Sequence, residues 1–223
     1  GANLTDYVLM LCRTDPDVPK HQGLTVFIVP MDAPGATVRP IRQMTGGTSF
    51  NEVLIDNVEL DDSFRLGPVG QGWKVALTVL AAERLDSGNL GLDNADQAVE
   101  LARNAGRELD ALERDAVADL VTRSFVQRLV GMRVAAAVGA GREPGPEASV
   151  GKLLATDTMA RTSETVRLLL GPDLTLHGDE WGTWAWTEHV LGAPGYRIAG
   201  GTDEIQHNIL AERVLGLPRE PRP

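Results

Sequence analysis

The chain has 223 residues, enough to bury a sizeable core in one large or two compact units, and a formal charge of −10 from 21 basic and 31 acidic residues. This acidic balance argues against DNA or RNA as the main partner, because phosphate-binding surfaces are basic. The single cysteine permits no internal disulfide, the four scattered histidines indicate no metal site, and the lack of a long apolar run or cationic leader predicts a cytoplasmic protein without a membrane span.

The first part of the chain, residues 1–66, is predicted to be a β unit. Short apolar runs alternate there with turn residues, and they cover residues 7–12, 24–29, 37–41 and 53–55. This pattern predicts part of a β-barrel or sandwich. The chain begins without methionine and leads within a few residues into a strand, so we expect it to be the later part of a longer protein.

The remainder, residues 67–223, has a helical pattern. A 3.6-residue period runs through about 110–141, and a second helical run over 149–170 ends at a Gly-Pro pair. These segments predict a C-terminal four-helix-bundle domain, so the expected fold class is α+β.

The end of this domain is less regular. Residues 172–201 show no clear period, and Thr202, followed by two acids, predicts the N-cap of a helix that ends near Gly216. On the long helices the stripes are rich in small residues, as at 134–137. Such a face is typical of a close-packed core, and the alternative is a contact between subunits.

The helical stretch at residues 70–92 carries an acid on its apolar face. At helical spacing Glu83 shares one stripe with Trp73 and Leu80, where the pattern predicts an aliphatic side chain. Burying a carboxylate is unfavourable unless it finds a partner, reaches solvent or lies in a cleft that raises its pKa. Glu83 is therefore either the polar edge of the helix or a functional carboxylate.

Segments spread over the whole chain carry a family resemblance. In chain order they are GLTVFIV at 23–29, RQMTGGTSFNEV at 42–53, GQGWKVA at 70–76, IAGGTDEIQ at 198–206 and AERVLG at 211–216. Each alone is weak evidence, but their order is specific, and together they resemble bacterial acyl-CoA dehydrogenases. That family has a helical N-terminal domain, a β middle domain and a C-terminal helical bundle. The resemblance implies that this chain supplies the end of the second and all of the third.

The resemblance implies α,β-dehydrogenation of an acyl-CoA thioester, in which a carboxylate removes the α-proton and FAD takes the β-hydrogen as hydride. The commonest family pattern places this base directly before the Gly-Thr of the C-terminal motif, and here that residue is Gly200. Isovaleryl-CoA and long-chain acyl-CoA dehydrogenases instead carry the base in a Glu-Arg pair on the helix that opens the bundle. Glu83 and Arg84 match that pair, which favours Glu83 as the base.

The resemblance also implies binding residues. Thr202 and Glu204 match positions that contact FAD, Gly201 would lie against the thioester, and Arg84 matches a substrate-side arginine. Arg107 is the best match to an arginine that reaches the FAD of a neighbouring subunit. The alternatives are a plain N-cap at Thr202, which is compatible with the first role, and an ordinary surface arginine at Arg84. Further implied partners are electron-transferring flavoprotein as acceptor and other subunits of a homo- or hetero-oligomer, formed through the bundle.

Two departures from the family pattern leave alternatives open. The segment around Arg107 lacks the expected Phe-Gly, and residues 168–172 read Leu-Leu-Leu-Gly-Pro where the family has Gln-x-x-Gly-Gly. Some bacterial members pair two different subunits, of which only some bind flavin or carry the base. This chain is therefore predicted to be an acyl-CoA dehydrogenase, or else the non-catalytic partner in such a pair. A plain helical interaction module would leave the β unit unexplained.

Overall fold

The computed structural model describes residues 1–87, 95–142, 145, 146, 148–176 and 185–219, with the backbone alone for residues 81–87. Its elements group into two units, Gly1–Arg84 and Leu85–Pro223. The predicted α+β class is confirmed. The predicted domain boundary between residues 66 and 67 stays a prediction.

The strands of the first unit form two open antiparallel sheets. One sheet has the order β1-β2-β5, and the other pairs β3 with β4. The strands are β1 (Tyr7–Arg13), β2 (Leu24–Pro30), β3 (Ala36–Ile41), β4 (Phe50–Ile55) and β5 (Arg65–Leu66). All four strands predicted from the apolar runs are confirmed, and no closed barrel forms among the described strands.

Strand β2 is the centre of its sheet, between β1 and β5, and it supplies the buried side chains of the unit. Thr25, Val26 and Val29 are at most 3% exposed. On the neighbouring strand β1, burial alternates, and Tyr7 and Leu9 point outward with 57% and 49% of their surfaces exposed. Successive side chains of a strand point to opposite faces, so β1 has one covered face and one open apolar face.

The second part of the chain is helical. The helices are α1 (Gly72–Ser87), α2 (Ala95–Arg103), α3 (Ala111–Gly139), α4 (Ala148–Leu170), α5 (Ala185–Tyr196) and α6 (Asp203–Arg213). Short 3₁₀ helices occupy Ala2–Leu4, Asp62–Phe64 and Gly171–Thr175. The two long helices predicted from periodicity and the N-cap at Thr202 are confirmed. The prediction of irregular structure over residues 172–201 is wrong at α5.

The core of the second unit lies where α2, α3 and α4 meet. Ala98, Leu120 and Val166 are fully buried there, and Trp186 of α5 packs against them while remaining partly exposed. Alanine on α2 leaves room for close helix approach, because its side chain adds only one carbon to the backbone. Helix α4 is the central element of this unit, since α2, α3, α5 and α6 all contact it.

The interior face of α4 is unusually rich in threonine. Thr158, Thr162 and Thr165 are at most 3% exposed. Their hydroxyls donate to the backbone carbonyls four residues earlier at 2.8 to 2.9 Å. These bonds satisfy buried polar groups within the helix itself, so the threonines can pack as if they were apolar.

The small-residue face of α3 does not form a core. Ala135 and Ala136 are exposed, and Val134 is only partly buried. Of the two interpretations of residues 134–137, ordinary core is therefore wrong for the single chain. None of the described helices combines the length and the apolar character needed to cross a bilayer.

Candidate active site

Helix α1, which carries Glu83 and Arg84, is anchored to β2 at its start. The backbone N–H of Gly70 donates to Thr25 Oγ1 at 3.1 Å, and this hydroxyl also bonds Thr14 Oγ1 at 2.8 Å. A Cβ on Gly72 would come within 2.7 Å of the Thr25 backbone. Because only glycine permits this approach, the Gly-Gln-Gly sequence fixes where the helix begins.

Aromatic stacking adds to this anchor. The ring of Trp73 stacks on His21, with centroids 4.4 Å apart. Farther along the helix, Leu77 and Leu80 are 49% and 42% exposed, so the described part of the α1 stripe is open rather than a closed core.

Glu83 and Arg84 lie in α1 by their backbone, and their side chains fall outside the described part of the chain.

The second group of predicted site residues lies at the start of α6. Gly200 and Gly201 have φ angles of +65° and +99°, a region that glycine adopts readily and other residues rarely do. Thr202 follows as the N-cap, and its Oγ1 accepts from the Ile205 N–H at 3.3 Å. Gly201, Thr202 and Glu204 therefore all lie at the start of α6, and their binding roles stay a prediction.

The charges at this turn are arranged asymmetrically. Asp203 is 8% exposed and accepts from Lys152 Nζ at 2.8 Å and from Arg197 Nε at 2.6 Å. Burial alone would raise the pKa of Asp203, but the hydrogen bonds and charges of these two cations outweigh it and hold the pKa below its usual range. Glu204 is exposed, and hydrogen bonds from its own N–H and from Thr202 lower its pKa.

Arg107 lies far from this turn within the same unit. Its guanidinium donates to both carboxylate oxygens of Glu113, at 2.8 and 2.6 Å, and to the carbonyl of Leu169 at 3.4 Å. Lys152 and Leu169 stand at opposite ends of α4, roughly 25 Å apart at the helical rise of about 1.5 Å per residue. Arg107 is therefore separated from the Thr202 turn by most of the length of α4.

Glu113 was not predicted as a special residue, yet its surroundings strongly favour the ionised carboxylate. Its pKa falls to about 2, chiefly because it accepts from Arg107 and also from the Asp110 backbone. It also forms a capping box, in which the Asp110 carboxylate accepts the Glu113 N–H at 2.9 Å. The sequence signal was an Asp followed three residues later by Glu, at the start of a periodic run.

A groove of about 760 Å³ lies elsewhere in the second unit, between α2, α3 and α5. Trp186 and Ser124 line it, and the buried Ser124 Oγ has no hydrogen-bond partner among the described residues. None of the predicted site residues lines this groove. Its size alone does not connect it with the predicted chemistry.

The comparisons with known proteins agree with one another. The family model for the C-terminal domain of acyl-CoA dehydrogenases matches residues 70–215. Acyl-CoA dehydrogenase FadE34 of Mycobacterium tuberculosis is 36% identical over 98% of this chain, which spans 30% of FadE34. Acyl-CoA dehydrogenase IpdE1 of the same organism is 33% identical over 98% of this chain, which spans 57% of IpdE1.

The fold has a close match among solved structures. The Tcur3481-Tcur3483 steroid ACAD superposes with a TM-score of 0.89 and 27% identity, over 99% of this chain and 59% of that one. The chain therefore spans well under two thirds of the length of each of these relatives. The matched region includes both the helix with Glu83 and the turn with Gly200.

Proposed function

The chain belongs to the acyl-CoA dehydrogenase family, and from that premise we propose that the whole protein dehydrogenates an acyl-CoA thioester between its α and β carbons, with Glu83 as the base. This chain would supply the C-terminal portion of that enzyme and would have little activity alone. The observation that carries the proposal is the pair of positions at which the family places its base. One of them is Gly200, and the other is Glu83.

Gly200 has no side chain that takes a proton, and its φ of +65° disfavours any other residue there. The α-proton must then go to a group on another element. Glu83, on α1, is followed by Arg84, the residue type that this family pairs with a base at that position. In a dry cleft a carboxylate loses hydration, which raises its pKa and makes it a stronger base near neutral pH.

The turn at α6 fits part of FAD. Lys152 and Arg197 together more than neutralise buried Asp203, which leaves Glu204 as the exposed acid of the first helical turn. A pyrophosphate would meet this carboxylate, so we expect a neutral, hydrogen-bonding part of the cofactor here, held by Thr202 and by backbone groups. Bound FAD supplies the oxidant that accepts the β-hydrogen as hydride.

Arg107 takes a role only between subunits in this proposal. Arg107 contacts Leu169 at one end of α4, and Lys152, roughly 25 Å away towards the other end, contacts the turn that contains Thr202. Arg107 and Thr202 would therefore contact flavins of different subunits. Its guanidinium is about half exposed although it binds Glu113, so part of it remains available to a ligand. The proposed enzyme is therefore an oligomer, with electron-transferring flavoprotein as the external acceptor.

The test is the substitution Glu83→Gln in the whole protein, which keeps the size of the side chain and removes its basicity. A positioned base contributes about 10² to 10⁴-fold, so we expect turnover to fall by at least ~100-fold while flavin content and acyl-CoA affinity stay near those of the parent. Straight-chain and ring-containing acyl-CoA thioesters should both be assayed. The matched control is Glu188→Gln, an exposed acid on α5. Near-parental turnover of Glu83→Gln with flavin retained would reject the assignment.

A second function has its own support. The similar Tcur3481-Tcur3483 steroid ACAD is named for two different components, and residues 168–172 of this chain depart from the family's Gln-x-x-Gly-Gly. The whole protein would then be the non-catalytic partner of a flavin-binding subunit. Purified alone it would hold no stoichiometric flavin, and Glu83→Gln would leave the activity of the assembled pair unchanged.

A further inference from the structure

The turn of residues 197–202 is held from inside by the side chain of Gln206. Gln206 is 4% exposed, and its Nε2 donates to the carbonyl of Gly200 at 3.0 Å and of Gly201 at 3.4 Å. Gly200 and Gly201 are the two residues of this turn that have positive φ angles. The side-chain amide thus fixes the orientation of both peptide planes from one turn farther along α6.

The same turn is held from its other side by Asp203. Its carboxylate binds Lys152 on α4 and Arg197 at the start of the turn, and its own N–H donates to the Arg197 carbonyl at 3.2 Å. Lys152 Nζ also donates to that carbonyl at 3.0 Å, and Thr156 Oγ1 lies 3.4 Å from the carboxylate. Asp203 therefore joins both ends of the turn to each other and to the central helix.

A cluster of this kind is a poor source of stability. Lys152 and Asp203 lose hydration when they are buried, and an apolar pair of similar size is often as stable or more stable. An apolar pair, however, would not fix the orientation of the backbone in the turn, because it cannot form hydrogen bonds to peptide groups or charged side chains. The geometry of the turn is thus the property that this charged cluster adds.

We propose that Asp203, through Lys152 and Arg197, is a positioning residue that holds Gly200, Gly201 and Thr202 in the geometry that receives the thioester and the flavin. This rests on the proposed function for what the turn binds. The fixed turn itself follows from the contacts within the chain. Misplacement by about 1 Å costs on the order of 100-fold in rate, so a loosened turn should lower turnover although no reacting group is lost.

The experiment compares three variants of the whole protein. Asp203→Asn removes the charge. The double variant Asp203→Leu with Lys152→Met replaces the buried pair by apolar side chains, which should keep the melting temperature close to that of the parent. The matched control is Glu164→Gln, which removes an exposed ion pair with Arg161 on the same helix.

Three readouts separate positioning from simple stability. We expect amide hydrogen exchange at Ile198, Ala199 and Asp203 to accelerate at least ~10-fold in Asp203→Asn and in the double variant, and not in the control. Flavin affinity should fall, and kcat should drop about 10- to 100-fold with a smaller change in KM. A double variant with parental melting temperature, exchange and kcat would overturn the proposal.

The outcomes also distinguish this proposal from the enzymatic one. If the parent shows no dehydrogenase activity but amide exchange still accelerates in the double variant, then the proposed function fails and the turn is still fixed by Asp203. If the parent is active and amide exchange in Asp203→Asn is unchanged, then the positioning role fails and the proposed function stands.

Discussion

At the scale of single residues, Gly200 and Gly201 have the same sign of φ but different surroundings. A Cβ on Gly200 would meet nothing within 4 Å, whereas one on Gly201 would lie 2.8 Å from Gln206 Nε2. Gln206 has little freedom to move aside, because it is buried and bonded to both glycine carbonyls. The two glycines should therefore respond differently to the same substitution.

We expect Gly200→Ala to lower the free energy of unfolding by roughly 1–2 kcal/mol, the cost of a left-handed conformation for an L-residue. Gly201→Ala should lower it by about 1 kcal/mol more, since displacing Gln206 also weakens a hydrogen bond. Denaturant unfolding of the whole protein measures both. Gly139→Ala is the control, because Gly139 lies in α3 with open space around it, and alanine there should be neutral or stabilising. Equal losses at 200 and 201 would contradict the steric argument.

Thr202 is predictable from the sequence because an N-cap is a local signal, a polar residue followed by acids. The role of Asp203 is not predictable in this way, because its partner Lys152 is 51 residues away and shares no periodic pattern with it. From the sequence, both Asp203 and Glu204 are explained in the same way, because acidic residues in the first turn of a helix interact favourably with the helix dipole. Only the folded chain shows that one of them is buried in an ion cluster and the other faces solvent.

At the scale of elements, the long helices were predictable and α5 was not. Helices α3 and α4 are long enough for their period to stand out, and α3 begins at a capping box. Helix α5 spans Ala185–Tyr196, with Pro194 inside it and glycines nearby, so its local signals oppose a helix. Packing overrides them, because Trp186 of α5 lies against the core and Pro194 falls in the last turn.

The capping box of α3 should make the stability of the chain depend on pH. The pKa of Glu113 in the folded chain is about 2, below the ordinary 4.5, because it accepts hydrogen bonds from Arg107 and the Asp110 backbone. A carboxylate with a lowered folded pKa contributes stability that is fully present above its unfolded pKa and is lost as the pH falls through the folded value. The contribution of Glu113 should thus be constant above about pH 5 and should disappear between 4.5 and 2.

Comparison with Glu113→Gln isolates this contribution from the other titrating groups. The free energy of unfolding of the parent should exceed that of the variant above pH 5, and the difference should shrink steadily as the pH falls towards 2. Glu108→Gln, two residues before the Asp110 N-cap, serves as the control for the loss of one carboxylate outside the capping box. A parent–variant difference that stays constant from pH 6 to 2.5 would show that Glu113 is not held ionised by Arg107.

At the scale of the whole molecule, α3 exposes more apolar surface than is usual for a helix on the surface of a soluble monomer. Val121, Phe125, Leu129 and Met132 lie on one face of it, and each is at least 46% exposed. Ala136 continues this face towards the small residues at 134–137. A continuous apolar stripe of this length favours a partner, and an oligomer is what the proposed role of Arg107 also requires.

The substitution Phe125→Arg in the whole protein tests whether this face forms a subunit contact. A buried, unpaired guanidinium at the centre of an apolar interface is strongly unfavourable, so we expect light scattering to show a smaller assembly, with flavin lost progressively on dilution. Leu112→Arg is the matched control, because Leu112 is 67% exposed on the opposite side of the same helix. The control should keep the parental mass and flavin content. If Phe125→Arg keeps the parental mass, then α3 does not form the subunit contact. If the mass falls while flavin stays bound at every concentration, then each subunit holds its cofactor without Arg107 of a neighbour.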